Sequence, residues 1–397
     1  MSEAANTTEH RWLNPDVLKW AREWRGRTLE EAANRARKDV EVIEAWERGE
    51  KTPTVKQARK LADYYDRHFL ELLLPYPPEL PEPVRLPDFR MHHGVKPPVQ
   101  EWELQDILQW TETQRINALD LYGEIGEQPP EFPEDLFASL RDNHEVVAAR
   151  SRELLDFPIQ TQVDMTLKDT GKLPDILRHQ FERIGVLTLK RSDLAKLRVR
   201  GICIAEFPLP AIVFTKESPG AQAFSLVHEF AHVLLRRSGV SGPLDRRTER
   251  KSDIERWCNR FTGAFLMPEG YLRMVVGPPP ALPADRIEDA RLKKAARKMS
   301  VSEHAMLIRL VHLGYVHRDY YWNEKRPEFE RQEEGFNSRA RSNYYGSRYR
   351  STQGDLYTGL VMEAWGTDRI TNHNAAEFMG IKNLRHLNDI RQHFGTS

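Results

Sequence analysis

The sequence feature that most constrains the fold is an apolar stretch, Ala221–Leu235, that contains His228, Glu229 and His232. Apolar residues surround the three polar ones on nearly every side, which predicts a mostly buried helix. Residues four apart lie on one face of a helix, so both imidazoles point at one spot. Unpaired polar groups in such a place are strongly destabilising. The fold must therefore give these side chains a buried partner.

The spacing of these residues is typical of a metal site. Two histidines at i and i+4 suit two adjacent positions of a tetrahedral zinc ion. Glu229 is rotated by about 100° around the helix from His228, so it can act on water near the metal without competing as a ligand. We predict that His228 and His232 bind zinc and that Glu229 is the general base. A solvent-facing stripe of the same residues is the alternative.

A third ligand is expected from the next predicted helix, which covers 253–266. Glu255 stands near the start of this helix. A plain N-terminal charge that favours the helix dipole is the other interpretation. Asp253 is a rival ligand or a partner that orients a histidine, and Asn259 is a supporting or structural residue. Two histidines, one glutamate and one open position describe a catalytic zinc site.

The chain around this site is expected to be α+β and predominantly helical. Short amphipathic helices joined by tight turns predict a helix-turn-helix bundle over 1–75. Within it, Thr28 and Glu31 are predicted to form a capping box for the second helix, and Asp39 is predicted to cap the third. A proline-rich linker follows over 76–100, and then a metal-binding domain over 101–323. Residues 324–397 are expected to form a polar loop or linker over 324–350 and a C-terminal helical domain, helical over 355–394. The segments 185–189, 199–204 and 211–215 predict a small antiparallel sheet, and helices are predicted over 221–236 and 286–313.

Composition excludes several classes of protein. The chain has 397 residues, 59 of them basic and 59 acidic, so its net charge gives no sign of nucleic-acid or membrane-surface binding. Its two cysteines, Cys203 and Cys258, form no C-x-x-C pair. The first ten residues lack the apolar core of a signal peptide, and no apolar run is long enough to span a membrane. We expect a cytoplasmic protein without a membrane partner.

The motifs resemble the ImmA/IrrE family of bacterial metallopeptidases, in the variant with an N-terminal helix-turn-helix domain of the Xre repressor type. Four segments carry the resemblance: Trp46-Glu47-x-Gly49 with Pro53-Thr54 and Leu61-Ala62; Pro87-Asp88-Phe89-Arg90; Phe224-x-x-x-His228-Glu229-x-x-His232; and Glu255-x-x-Cys258-Asn259-x-Phe261 with Leu266-Met267-Pro268. The last two segments are the most specific. The family usually has alanine where Cys258 stands.

The resemblance implies a zincin-like peptidase domain that binds zinc through His228, His232 and Glu255 and uses Glu229 as catalytic base. It also implies a zinc-dependent endopeptidase with a protein substrate, a helix-turn-helix repressor whose cleavage relieves transcriptional repression. Two alternatives stay open. One is a DNA-binding transcriptional regulator whose zinc site is structural or sensory. The other is an antitoxin-like interaction module that only binds its partner.

The third predicted helix of the N-terminal domain is the expected DNA-reading element. It carries four acidic residues: Asp39, Glu41, Glu44 and Glu47. Phosphate repels an acidic face, although Arg37, Lys38, Lys51 and Lys56 stand at its edges. We therefore keep DNA as one partner of this domain and a protein as the other. That protein is the repressor or a second copy of the chain in a homodimer.

Two weaker features complete the sequence. Arginines 339, 341, 348 and 350 alternate with tyrosines 344, 345 and 349, which suggests a surface for single-stranded nucleic acid. We favour a solvated loop there, and we regard His92 and His93 as incidental. Segments Thr371–Met379 and Asn383–Arg391 flank Gly380 and predict a second helix-turn-helix-like pair.

Overall fold

The fold is known from a computed structural model that describes residues 12–65, 67–78, 86, 101–166, 170–242, 252–334, 345–381 and 383–394. The chain divides into two compact units. The first comprises Met1–Pro83 and Pro97–Gln105, and the second Val84–Lys96 and Asp106–Ser397. In the part of the chain described, no helix is both long and apolar enough to cross a membrane.

The first unit is a bundle of short helices. They are α1 (Pro15–Trp24), α2 (Leu29–Ala36), α3 (Val40–Glu47) and α4 (Val55–Tyr65), followed by a 3-10 turn, Phe69–Leu73. Thr28 and Glu31 form the predicted capping box of α2, with bonds of 3.2 and 3.0 Å between side chain and backbone. Asp39 occupies the N-cap of α3, but its side chain makes no capping bond, so that part of the prediction is wrong.

Glu47 is not part of an exposed acidic face. It is buried, and its carboxylate accepts two bonds from Arg22, at 2.7 Å from Nε and 2.8 Å from Nη2. The cause is helical spacing: Ile43, Trp46 and Glu47 share the face that packs on α1. Of the four acidic residues named for the predicted DNA-reading helix, Asp39, Glu41 and Glu44 stay on its outer side.

The second unit combines many helices with one sheet. Helices α5 to α9 are Glu101–Ile125, His144–Leu154, Ile159–Thr166, Leu173–Arg183 and Pro219–Leu234. Of α5, the residues from Asp106 onward belong to this unit. Helices α10 to α13 are Asp253–Leu266, Glu269–Val276, Asp289–Lys298 and Glu303–His312. The strands are β1 (Leu187–Arg191), β2 (Gly201–Ile204), β3 (Ala211–Thr215) and β4 (Gly239–Ser241). The predicted α+β, mainly helical class is confirmed.

The sheet is mixed rather than antiparallel. Its strand order is β1-β3-β2-β4, with β1 and β3 parallel and the other two pairings antiparallel. The prediction failed because β3 inserts between β1 and β2, so it pairs with the strand that runs in its own direction. Strand β4 was missed because three residues are too few to show an alternation of apolar and polar residues. Helix α9 packs on this sheet, and Phe230 of α9 stacks on Phe181 of α8 with ring centroids 4.2 Å apart.

The C-terminal segment is helical and packs on the same unit. A short helix at Arg318–Tyr320 and a π-helical turn at Tyr321–Lys325 lead into α14 (Arg326–Glu334), and α15 (Tyr345–Gly366) contacts β1. The predicted loop over 324–350 is therefore wrong for 324–334 and 345–350. Helices α16 (Asn372–Phe378) and α17 (Arg385–Phe394) flank Gly380, as predicted.

Helix α15 is interrupted at Gly354, whose φ is 82°. Beyond this kink the amides of Asp355 and Leu356 each donate to Oε2 of Glu182 in α8, at 2.9 Å. Arg178 donates to the carbonyl of Ser351 at 2.7 Å. A buried carboxylate of α8 thus caps the second half of α15.

Several sequence predictions lie outside the described residues. They concern the segment 87–90, His92, His93, Arg339, Arg341 and Tyr344, and almost all of the proline-rich linker. The proposed arginine–tyrosine surface is therefore only partly described. Arg350 of that surface is bound to Asp355, with Nε 2.5 Å from Oδ1.

Candidate metal centre

Three predicted ligands meet between helices α9 and α10. One ligand atom of each of His228, His232 and Glu255 lies within 4.8 Å of the others. Nε2 of His232 is 3.1 Å from Oε1 of Glu255, and Nε2 of His228 is 3.3 Å from Oε2. All three residues are buried, with at most 6% of their surface exposed. The structure thus brings together the histidine pair and the carboxylate that lies 23 positions further along the chain.

Local sequence explains how each side chain reaches this point. Pro219 opens α9, and every residue from Ser225 to Leu234 is buried, so the helix presents its histidines inside the protein. Ser252 caps α10 by accepting a bond from the amide of Glu255 at 3.2 Å. That cap fixes Glu255 in the first turn of α10, which packs against α9.

The electrostatics of the three ligands favour a charged carboxylate beside two imidazoles. Burial alone would raise the pKa of Glu255, but His228 and His232 outweigh it and hold that pKa far below its usual range. Burial alone would lower the pKa of His228, yet Glu255 raises it, with a further contribution from Asn259. Asn259 lies one turn after Glu255 and is buried near His228.

The residues fit a zinc ion. The histidine pair and one carboxylate oxygen form a donor set that zinc prefers. Both ring nitrogens of His228 are buried and make no hydrogen bond of good geometry, although Nε2 is 3.3 Å from Oε2 of Glu255. Such unsatisfied atoms are rare inside proteins unless an ion or another group binds them. Asp253 is not part of this set, because its side chain is 74% exposed and contacts Arg256.

Glu229 lies beside the three ligands and is equally buried, at 1% exposure. Burial raises its pKa, and the imidazoles of His232 and His228 offset this only in part. Both carboxylate oxygens are buried without a geometrically satisfied hydrogen bond. The side chain extends toward the sheet, where Gly201 and Ser241 receive it. A buried carboxylate with a raised pKa, next to a candidate metal site, is suited to accept a proton.

This geometry defines a class of protein: a metallopeptidase-like domain built on a buried His-Glu-x-x-His helix. Comparison with known families agrees. Residues 210–311 match the peptidase family model described as IrrE N-terminal-like domain, and residues 18–72 match the model described as Helix-turn-helix. The chain therefore carries an ImmA/IrrE-type domain and an Xre-type helix-turn-helix domain, which confirms the resemblance read from the sequence. No curated protein and no solved structure matches the chain.

Proposed function

We propose that this protein is a zinc-dependent endopeptidase that cleaves a helix-turn-helix repressor and thereby relieves transcriptional repression. The observation that carries the proposal is the buried set of His228, His232 and Glu255 with the unsatisfied carboxylate of Glu229 beside it. A structural zinc site has no use for a second carboxylate whose pKa is raised. The match of residues 210–311 to a peptidase family supports the same conclusion.

Each residue has a distinct role in this proposal. His228, His232 and Glu255 would hold the zinc ion, which when bound polarises the scissile carbonyl and acidifies water. Glu229 accepts the proton of the attacking water and passes it to the leaving amine. Asn259 holds the imidazole of His228 in place.

The test combines metal content with cleavage. We expect about one zinc per chain by elemental analysis of the wild type, and none after His228→Ala with His232→Ala. Glu229→Gln should keep the zinc and the fold but lose cleavage of a purified helix-turn-helix repressor, followed by mass spectrometry. Asp253→Ala is the matched control, because it removes an exposed acidic residue two positions before Glu255. It should keep both zinc and activity.

The regulator is the second candidate, because residues 18–72 match a helix-turn-helix family. Glu229→Gln separates the two functions. If the variant retains the biological activity of the wild type, the protein is a regulator or an interaction module and the endopeptidase proposal fails. Absence of zinc from wild type purified without chelators contradicts it as well.

We propose that the helix-turn-helix domain docks a protein, the repressor or a second copy of this chain, at least as readily as it binds DNA. The outer side of α3 presents Asp39, Glu41 and Glu44, and phosphate repels all three. Salt-sensitive, nanomolar binding to a defined operator would contradict this. Domain boundaries after residues 75, 100 and 323 and a cytoplasmic location stay predictions from the sequence.

A further inference from the structure

The side chain of Glu229 occupies space that a neighbouring residue leaves free. A Cβ atom built on Gly201 of β2 would stand 2.5 Å from Cγ and Cδ of Glu229 and closer still to Oε1. Those three atoms are the nearest ones to that position. Separations below about 3 Å are essentially never seen for real Cβ atoms. Any side chain at position 201 would therefore displace the carboxylate.

The backbone of Gly201 gives no second reason for a glycine. Its φ lies outside the left-handed region, unlike that of Gly354 or Gly380. It pairs with Phe214 of β3 and Ser241 of β4 as an ordinary strand residue. Glycine inside a strand weakens it and often marks a close approach by another group. Here the approaching group is the carboxylate of Glu229.

Ser241 stands beside Gly201 on the neighbouring strand. It is 2% exposed, and its Oγ has no geometrically satisfied hydrogen bond. Paired residues of neighbouring strands place their side chains on the same face of the sheet, so the Ser241 side chain lies on the face where the Cβ position of Gly201 meets Glu229. A buried hydroxyl and a buried carboxylate that lack other partners are each other's natural partners.

We propose that Gly201 and Ser241 are positioning residues that together fix the carboxylate of Glu229 next to the metal ligands. Gly201 provides the space, and the hydroxyl of Ser241 provides a donor on the same face of the sheet. The catalytic consequence rests on the proposed endopeptidase function, whereas the steric and polar contacts do not. The two parts can therefore be tested separately.

The contacts are tested without any substrate, through a double-mutant cycle on melting temperature. Gly201→Ala should lower the melting temperature of the zinc-loaded protein by roughly 3–8 °C because of overpacking. In a Glu229→Ala background, where Cγ, Cδ and both oxygens are gone, the same substitution should lower it by less than about 1 °C. Equal effects in the two backgrounds would overturn the role of Gly201, whether or not the protein is an enzyme.

The positioning role is tested on cleavage by the zinc-loaded protein. Ser241→Ala should lower kcat roughly ten- to a hundredfold, because a base that is displaced or misoriented loses that much. KM and zinc content should not change, and Ser241→Thr, which restores the hydroxyl, should recover most of the rate. An unchanged kcat, or a loss that Ser241→Thr does not repair, would overturn the role of Ser241. If the wild type cleaves nothing, the proposed function fails, and the melting cycle still decides the contacts.

Discussion

At the residue scale, the surroundings shift the pKa values of two glutamates of one site in opposite directions. Glu255 faces both imidazoles, and its pKa is lowered despite burial, whereas the pKa of Glu229 is raised because burial dominates. One carboxylate is thus kept ionised to bind a cation, and the other is prepared to hold a proton. The sequence predicted Glu229 as base from its helical spacing and Glu255 as third ligand from its place near the start of the next helix, and both roles stay predictions.

The buried ion pair of the first unit gives a prediction at this scale. Glu47→Ala should destabilise the unit by about 3 kcal/mol or more, because it leaves the guanidinium of Arg22 buried without its carboxylate. Chemical denaturation measures this. Glu23→Ala is the control: that side chain is 55% exposed and 3.4 Å from Arg22, so its loss should change stability by less than about 1 kcal/mol. Equal losses would show that burial is not the cause.

Lys190 of β1 predicts a pH dependence. Burial first, and then Arg178, lowers its pKa to about 8, below the value of about 10.4 in an unfolded chain. Between those values the unfolded chain binds a proton that the folded chain does not, so stability rises with pH across this window. Below pH 8 both states are protonated and the folded state keeps the unfavourable buried charge.

Lys190→Met should therefore raise the melting temperature at pH 7 by roughly 2–4 °C, and the gain should largely disappear at pH 10. Thermal unfolding of variant and wild type at both pH values measures the difference. Lys196→Met, at an exposed lysine on the following 3-10 turn, should change little at either pH. A gain of the same size at pH 7 and pH 10 would contradict the assigned cause.

At the element scale, the sequence predicted what local periodicity controls. Strand β3 and helix α10 were predicted with the bounds that the structure has, Ala211–Thr215 and Asp253–Leu266. The parallel pairing of β1 with β3 and the existence of β4 depend on which segments meet in space, and periodicity does not encode that. Gly201 and Ser241 were missed for the same reason: a glycine in a strand signals a close approach, but only the fold identifies Glu229 as the neighbour.

The kink of α15 gives a matched pair of glycine predictions. Gly354→Ala should destabilise the second unit by more than about 2 kcal/mol. The new Cβ would meet the carbonyl oxygen of Thr188 at 2.7 Å and the carboxylate of Glu182 closer still, at a positive φ. A Cβ atom added at Gly123 in α5 would have no atom within 4 Å, so Gly123→Ala should stabilise the second unit by about 0.5–1 kcal/mol. Urea unfolding of the two variants measures both changes in the free energy of unfolding. Changes of the same sign would contradict the steric cause assigned to Gly354.

At the scale of the whole molecule, we expect the proposed zinc binding to be linked to folding of the second unit. Buried ring nitrogens without satisfied hydrogen bonds are tolerated best when a cation binds them, and a ligand that binds only the folded state stabilises it. No residue of the first unit belongs to the cluster among the described residues. The linkage should therefore act on one unit and not on the other.

Metal removal tests this difference. A chelator should lower the melting transition of the second unit and leave that of the helix-turn-helix unit unchanged. Free zinc at about 100 times its Kd should restore about 2.7 kcal/mol. Scanning calorimetry resolves the two transitions. The variant that combines His228→Ala with His232→Ala should not respond to zinc, and a response of that variant would place the metal elsewhere.

The cap that Glu182 provides for α15 has a consequence during protein synthesis. A chain emerges at about 5–20 residues per second from its N-terminal end, so Glu182 and Arg178 leave the ribosome well before Ser351, Asp355 and Leu356. Until then a buried carboxylate and a guanidinium lack the backbone groups that they bind in the finished fold. The nascent second unit should be open to proteases and chaperones up to that point. Premature stop codons before residue 354 should therefore yield a product that is rapidly degraded. This includes stop codons that follow the complete metal site.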